Sequence, residues 1–184
     1  RFEMVPIRLD IDKTFFQEEE RCGYPVTKER KEVWAIELDL LMQLDQMCRK
    51  HGLKYCVGAG TMLGTVRHKG FIPWDDDLDL CMPRRDYDRF KILLQENVLG
   101  DGYEYLFPSA SKDSLCMFMK IYKKGTRCVE IGSEYTNFPK GLSLDVFPLG
   151  GVSSNRLKRK CTAICANLLR LCANMVYEAS YPES

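Results

Sequence analysis

Gly58-Ala-Gly-Thr-Met-Leu-Gly-Thr-Val-Arg-His-Lys-Gly-Phe-Ile-Pro-Trp-Asp-Asp-Asp-Leu-Asp-Leu-Cys-Met82 decides how this chain folds. From Asp77 to Met82 polar and apolar residues alternate, the period-2 pattern of a strand with one buried face. Successive strand side chains point to opposite faces. Leu78, Leu80 and Met82 therefore enter the core, while Asp77 and Asp79 stand side by side on the other face. Asp75 extends that row if the strand begins early.

Carboxylates held that close oppose one another's ionisation, and a cation removes the conflict. A set of oxygen ligands without a His or Cys pattern suits a hard ion, Mg²⁺ or Mn²⁺. The plain alternative is a solvated acidic turn. It is weakened here because the acids alternate with residues that must be buried, which fixes their direction.

Upstream, Lys54 to Val57 reads as a short strand, and Gly58-Ala-Gly60-Thr61 as a tight turn that lets backbone approach a ligand. Thr61 is the expected N-cap of a short helix, Met62 to Arg67. Bare N–H groups at a helix start bind anions. Alone, this is an ordinary strand-to-helix turn. Followed about fifteen residues later by Asp-x-Asp, it becomes the arrangement that metal-assisted phosphoryl or nucleotidyl transfer requires.

The run from Gly60 to Tyr87, Gly-Thr-Met-Leu-Gly-Thr-Val-Arg-His-Lys-Gly-Phe-Ile-Pro-Trp-Asp-Asp-Asp-Leu-Asp-Leu-x-Met-x-Arg-x-Asp-Tyr, resembles the signature of the LicD family. That family includes bacterial phosphocholine transferases, is similar to fukutin and fukutin-related protein, and belongs to the nucleotidyltransferase-fold superfamily. Gly141-Leu-Ser-Leu-Asp145-Val-Phe-Pro-Leu149 resembles the family's later Asp-Ile-Phe-Pro-Leu element. Ala59, Met62 and Gly150 depart from the family pattern. The resemblance covers roughly residues 27–152, and implies an extension before it (1–26) and a basic-then-apolar helical segment after it (153–184).

The fold expected is α/β (α+β): a nucleotidyltransferase-like mixed sheet with helices packed mainly on one face. The activity implied is a Mg²⁺- or Mn²⁺-dependent phosphotransferase. It would use a CDP-activated donor, carrying phosphocholine or a phosphoalditol, and a glycan or glycolipid acceptor. Asp77 and Asp79 would hold metal, with Asp145 as the third carboxylate, completing the metal site or taking the proton of an attacking hydroxyl. Gly60 and Thr61 would cradle phosphate. Arg67, His68, Lys69, Arg84 and Lys120 are further phosphate-binding candidates, each with a plainer reading as a solvated or turn residue. Two other functions fit the same residues: transfer of NMP to a protein or small molecule, and a non-catalytic nucleotide- or glycan-binding module.

The remaining chain is mainly scaffold. Residues 27–50 form a helical pattern, with Thr27 as N-cap, a stripe of Trp34, Leu38, Leu41 and Cys48, and Gly52 as the stop. Val5 to Ile11 reads as an edge strand. Asp86 is a candidate N-cap for a helix running to about Val98. Strands are expected over Tyr103–Phe107, Leu115–Tyr122 (Lys120 turned away from Met117, Met119 and Ile121), Arg127–Ile131 and Gly141–Phe147. Ser133–Lys140 reads as a polar loop.

An apolar fraction of 45% across 184 residues supports one sizeable core, and a net charge of +1 gives no general attraction to nucleic acid. Nine cysteines at irregular spacing, several in apolar runs, read as free thiols in a reducing, cytoplasmic setting. The apolar stretch Cys161–Tyr177, led by a basic cluster, reads as a packing helix or as one lying at the inner membrane face.

Overall fold

The computed structural model describes residues 5–108, 117–129 and 139–180. They fall into two compact units, residues 1–149 and 150–184. The first unit begins with a 3-10 turn, Lys13–Phe16, and a hairpin of β1 (Glu19–Arg21) and β2 (Tyr24–Val26). Then come α1 (Lys28–His51), β3 (Cys56–Val57), α2 (Ala59–His68), β4 (Leu78–Pro83), α3 (Arg84–Gln95), β5 (Tyr103–Leu106), β6 (Met119–Lys123) and β7 (Ser143–Leu149). The second unit is α4, Arg156–Ser180.

The five-stranded sheet has the order β3-β4-β7-β6-β5, with β4 and β7 parallel and the other neighbours antiparallel. It is the mixed α/β sheet the sequence leads one to expect. Helices α1 and α3 cover one face. Leu40, Leu44 and Met47 from α1, and Tyr87, Phe90 and Leu94 from α3, join Leu78, Leu80, Met82, Leu144, Val146, Met119 and Ile121 in a single core. A fully buried Leu or Val contributes about 2 kcal/mol by leaving water, so the alternation in β4, β6 and β7 holds the sheet against the helices. Register is strict for the same reason: a one-residue slip would turn each aspartate into the core.

Helix α1 starts and stops as its sequence dictates. The Thr27 hydroxyl accepts from the Arg30 N–H at 3.3 Å, and Gly52 closes the helix in the left-handed region at φ 63°.

Four local expectations are corrected. Val5–Ile11 forms no strand, because its N–H groups turn elsewhere: those of Arg8 and Leu9 donate to Asp39 Oδ1 at 2.7 and 3.0 Å. Asp86 is not the cap of α3. That helix begins at Arg84 directly after Pro83 and ends at Gln95, and the Asp86 carboxylate accepts from the Lys54 N–H at 3.2 Å. Arg127–Val129 is not a strand. Cys128 N–H donates to Lys140 O at 3.3 Å, while the Leu142 N–H goes to the Thr126 hydroxyl at 2.9 Å, so no ladder continues. Residues 130 and 131 of that stretch, 115 and 116 of the preceding one and 133–138 of the polar loop lie outside the described residues. Finally, α2 begins two residues before Thr61, with Gly58 as N-cap.

Helix α4 already includes the basic cluster Arg156, Lys158, Arg159 and Lys160 in its opening turns. Among the described residues, no helix is long and apolar enough to cross a membrane.

Candidate functional site

Three neighbouring strands carry the site on the face opposite the helices. Asp79 on β4 is in register with Asp145 on β7, and Asp145 with Lys120 on β6. The sequence separates these residues by up to 66 positions; the sheet sets them in one row. Lys120 Nζ lies 3.2 Å from Asp145 Oδ2, with the two side chains 11% and 14% exposed. β6 is an inner strand, so Lys120 is not a solvent-facing edge lysine.

The start of α2 meets this row from the side. The Gly58 N–H donates to the Asp79 carbonyl at 2.9 Å, and the Asp79 N–H to the Thr61 hydroxyl at 2.8 Å. The Gly60 N–H faces the Asp79 carboxylate and favours its ionised form. Thr61 is therefore a tie between α2 and β4, not the cap. Gly60 sits between two acids, and a Cβ there would come within 2.9 Å of Asp75 Oδ2. Only glycine lets the carboxylates of Asp75 and Asp79 approach this turn together.

The acids are in mutual conflict. Burial first, then the neighbouring Asp77, raises the Asp79 pKa, with the Gly60 N–H and Lys120 opposing. Burial, then Asp77, Asp76 and Asp79, pushes Asp75 up to about 6. Repulsion of this kind is what a divalent cation relieves. The donor set, all carboxylate oxygen, fits Mg²⁺ or Mn²⁺. Among the described residues no three Asp, Glu, His or Cys side chains already converge as a metal cage, so a cation would have to draw its ligands in.

Beside the acids, between α1, α2 and the 70–78 segment, lies a cavity of about 340 Å³. Trp34, Leu41 and Thr61 form part of its wall, and Asp75, Asp77 and Lys69 supply charge. Of the cationic candidates, Lys69 thus borders the acidic end. His68 sits against Trp74, ring centres 6.1 Å apart, with its Nδ1 3.8 Å from Cys22 Sγ. Arg67 is exposed at the far end of α2. Arg84 is not brought in. It lies five residues beyond Asp79, roughly 16 Å along the strand direction, where it pairs with Asp88 at 3.6 Å and covers the Tyr87 ring.

Two features were missed in the sequence. Arg30 and Trp34 of α1 hold the acidic turn: Arg30 Nη1 and Trp34 Nε1 donate to the Asp75 carbonyl at 3.2 and 2.8 Å. Glu37, one turn further along, is buried at 1% exposure. Its place in the stripe, three residues after Trp34, was the available signal.

A mixed α/β sheet with acids on adjacent inner strands beside a glycine-opened helix defines a nucleotidyltransferase-like domain. Comparison with known proteins gives the family. The LicD/FKTN/FKRP nucleotidyltransferase-domain model matches residues 52–154, more than half of the chain, and the chain belongs to the LicD family. It is 30% identical over 123 residues to the lipopolysaccharide cholinephosphotransferase LicD of Haemophilus influenzae, covering 66% of this chain and 44% of that protein. It is 34% identical over 101 residues to an uncharacterized protein of Rickettsia prowazekii, covering 53% of this chain and 36% of that one. The chain spans less than half the length of these curated relatives.

Proposed function

We propose that this chain is the catalytic part of a divalent-cation-dependent phosphotransferase. It moves a phosphocholine- or phosphoalditol-type group from a CDP-activated donor to a sugar hydroxyl of a cell-surface glycan or its precursor, and CMP leaves. The observation that carries this reading is the registered row of Asp79, Asp145 and Lys120 flanked by the Gly60 turn. The likeness to a lipopolysaccharide cholinephosphotransferase supports the class of group transferred and a glycan-type acceptor.

In this reading Asp77 and Asp79 hold Mg²⁺ or Mn²⁺, with Asp145 beside them. The ion would supply electrostatic stabilisation of the donor's phosphate oxygens. The acceptor oxygen forms a bond to the donor's distal phosphorus as the bond from that phosphorus to the CMP oxygen breaks. Asp145, steadied by Lys120, takes the hydroxyl proton. Gly60 and Thr61 keep Asp79 in place while Lys69 offers a positive charge at the cavity edge.

The test is to follow CDP-choline labelled separately in its choline and cytidine halves, with Mg²⁺ and a panel of glycan acceptors. Choline label on the acceptor and cytidine label in free CMP is the expected outcome. Nucleotide label on the acceptor would replace this reading with nucleotidyl transfer.

A further inference from the structure

Helix α4, Arg156–Ser180, carries none of the site residues described above, and one side of it is a row of apolar side chains in the open. Leu157, Cys161, Ile164, Leu168, Leu171 and Met175 follow one another at alternating steps of four and three, so they line up along one face of the helix. All but the cysteine are large, and each of those five is more than half exposed. Contiguous apolar surface of this kind marks a contact with something other than water. Arg159, Asn167, Arg170 and Asn174 occupy the other side.

The charges indicate what covers the row. Arg156, Lys158, Arg159, Lys160 and Arg170 are cationic, and no Asp or Glu stands between Arg156 and Met175. Lys158 and Lys160 border the row on its two sides near its start. Such side chains lay their stems along apolar surface and keep their charged heads at its polar edge. A second copy of α4 would bring the same cationic borders to the contact, like charge against like. An anionic lipid surface complements both halves of the helix: the acyl boundary takes the apolar row, and the headgroups take the cations. Among the described residues no helix is long and apolar enough to cross a membrane, so α4 would lie along the surface instead of spanning it.

We propose that α4 is a membrane-surface helix that docks on anionic lipid, with the row from Leu157 to Met175 turned to the acyl chains and the basic opening turns at the headgroups. Donor chemistry plays no part in this docking, so the transferase reading and the lipid contact can fail separately.

The experiment is flotation of the full 184-residue chain with two kinds of vesicle. One is phosphatidylcholine alone, and the other carries about 30% phosphatidylglycerol. The chain is expected to bind the anionic vesicles about tenfold or more tightly than the neutral ones, and to be released by about 0.5 M salt. Ile164→Gln combined with Leu168→Gln interrupts the row and should abolish flotation. Lys158→Gln combined with Lys160→Gln should weaken binding to the anionic vesicles about tenfold, and carries the test if the first pair disturbs folding. Ala163→Gln, on the polar side of the same helix, should bind as the unsubstituted chain does. No flotation with either vesicle, or equal binding to both, overturns the proposal. So does a chain that is dimeric by light scattering, becomes monomeric in Ile164→Gln with Leu168→Gln, and floats with neither vesicle; a second copy would then be the occupant of the row.

Discussion

The two faces of β4, β6 and β7 are built from the same residues taken alternately, yet they are in opposite physical states. On the covered face, Leu80, Met82, Met119, Leu144 and Val146 are fully buried against α1 and α3. On the other, Asp79 is raised by burial and by its neighbour Asp77, and Asp145 and Lys120 lie next to it in register. Strand periodicity separates the two tasks. The apolar half fixes where the backbone sits, and the polar half is held there although its own charges oppose it. A change on one face should therefore alter stability, and a change on the other should alter ligand binding.

The largest effect expected is functional. Asp79→Asn or Asp145→Asn should lower transfer by two to three orders of magnitude, about the loss seen when a group that stabilises a transition-state charge is removed. Tm should stay level or rise for Asp79→Asn. A fall of several degrees with activity retained would break the contrast between the faces.

The core counterpart is Leu80→Ala. Leu80 is 0% exposed, and truncation should cost about 3 kcal/mol in denaturant unfolding, from lost transfer energy and the cavity left behind. The folded fraction should still bind divalent cation.

A smaller effect sharpens the link between α1 and the acidic turn. Trp34→Phe removes the 2.8 Å bond to the Asp75 carbonyl while keeping an aromatic ring stacked on Phe71. It should cost about 1 kcal/mol and weaken cation binding more than a core substitution of equal cost.

The smallest effect is a slope. Asp75 ordinarily titrates near 3.8 and is pushed up to about 6 in the fold. The folded chain therefore holds more protons than the unfolded chain between those pH values, and stability falls as pH rises through that window. Without divalent cation, Tm should rise as pH is lowered from 7 towards 5. Asp75→Asn should flatten the rise, and saturating Mg²⁺ should abolish it.

Much of this was legible in the sequence, for a physical reason. Alternation in 77–82 and 142–147 assigns each residue a face, so Asp79 and Asp145 could be aimed before any fold was known. Register was not legible. That Asp145 stands opposite Asp79 and Lys120 depends on pairing between segments far apart in the chain. The start of α2 was hidden as well. Gly58 caps it with no side chain, and the hydroxyl that looked like a cap on Thr61 receives the Asp79 N–H instead. Val5–Ile11 has the composition of a strand, but its backbone is satisfied by one distant acid, Asp39. Glu37 offered only its place in the stripe, three residues after Trp34; that neither of its carboxyl oxygens finds a partner among the described residues is visible only in three dimensions.

The most direct test of the division between the two faces is calorimetric binding of CDP-choline to the unsubstituted chain and to Asp79→Asn, each in Mg²⁺ and then in EDTA. Binding that requires Mg²⁺ and is lost in Asp79→Asn, with Tm preserved in that variant, is the expected result. Equal binding in EDTA, or full binding by Asp79→Asn, would contradict the assignment of this acidic face as a cation-dependent donor site.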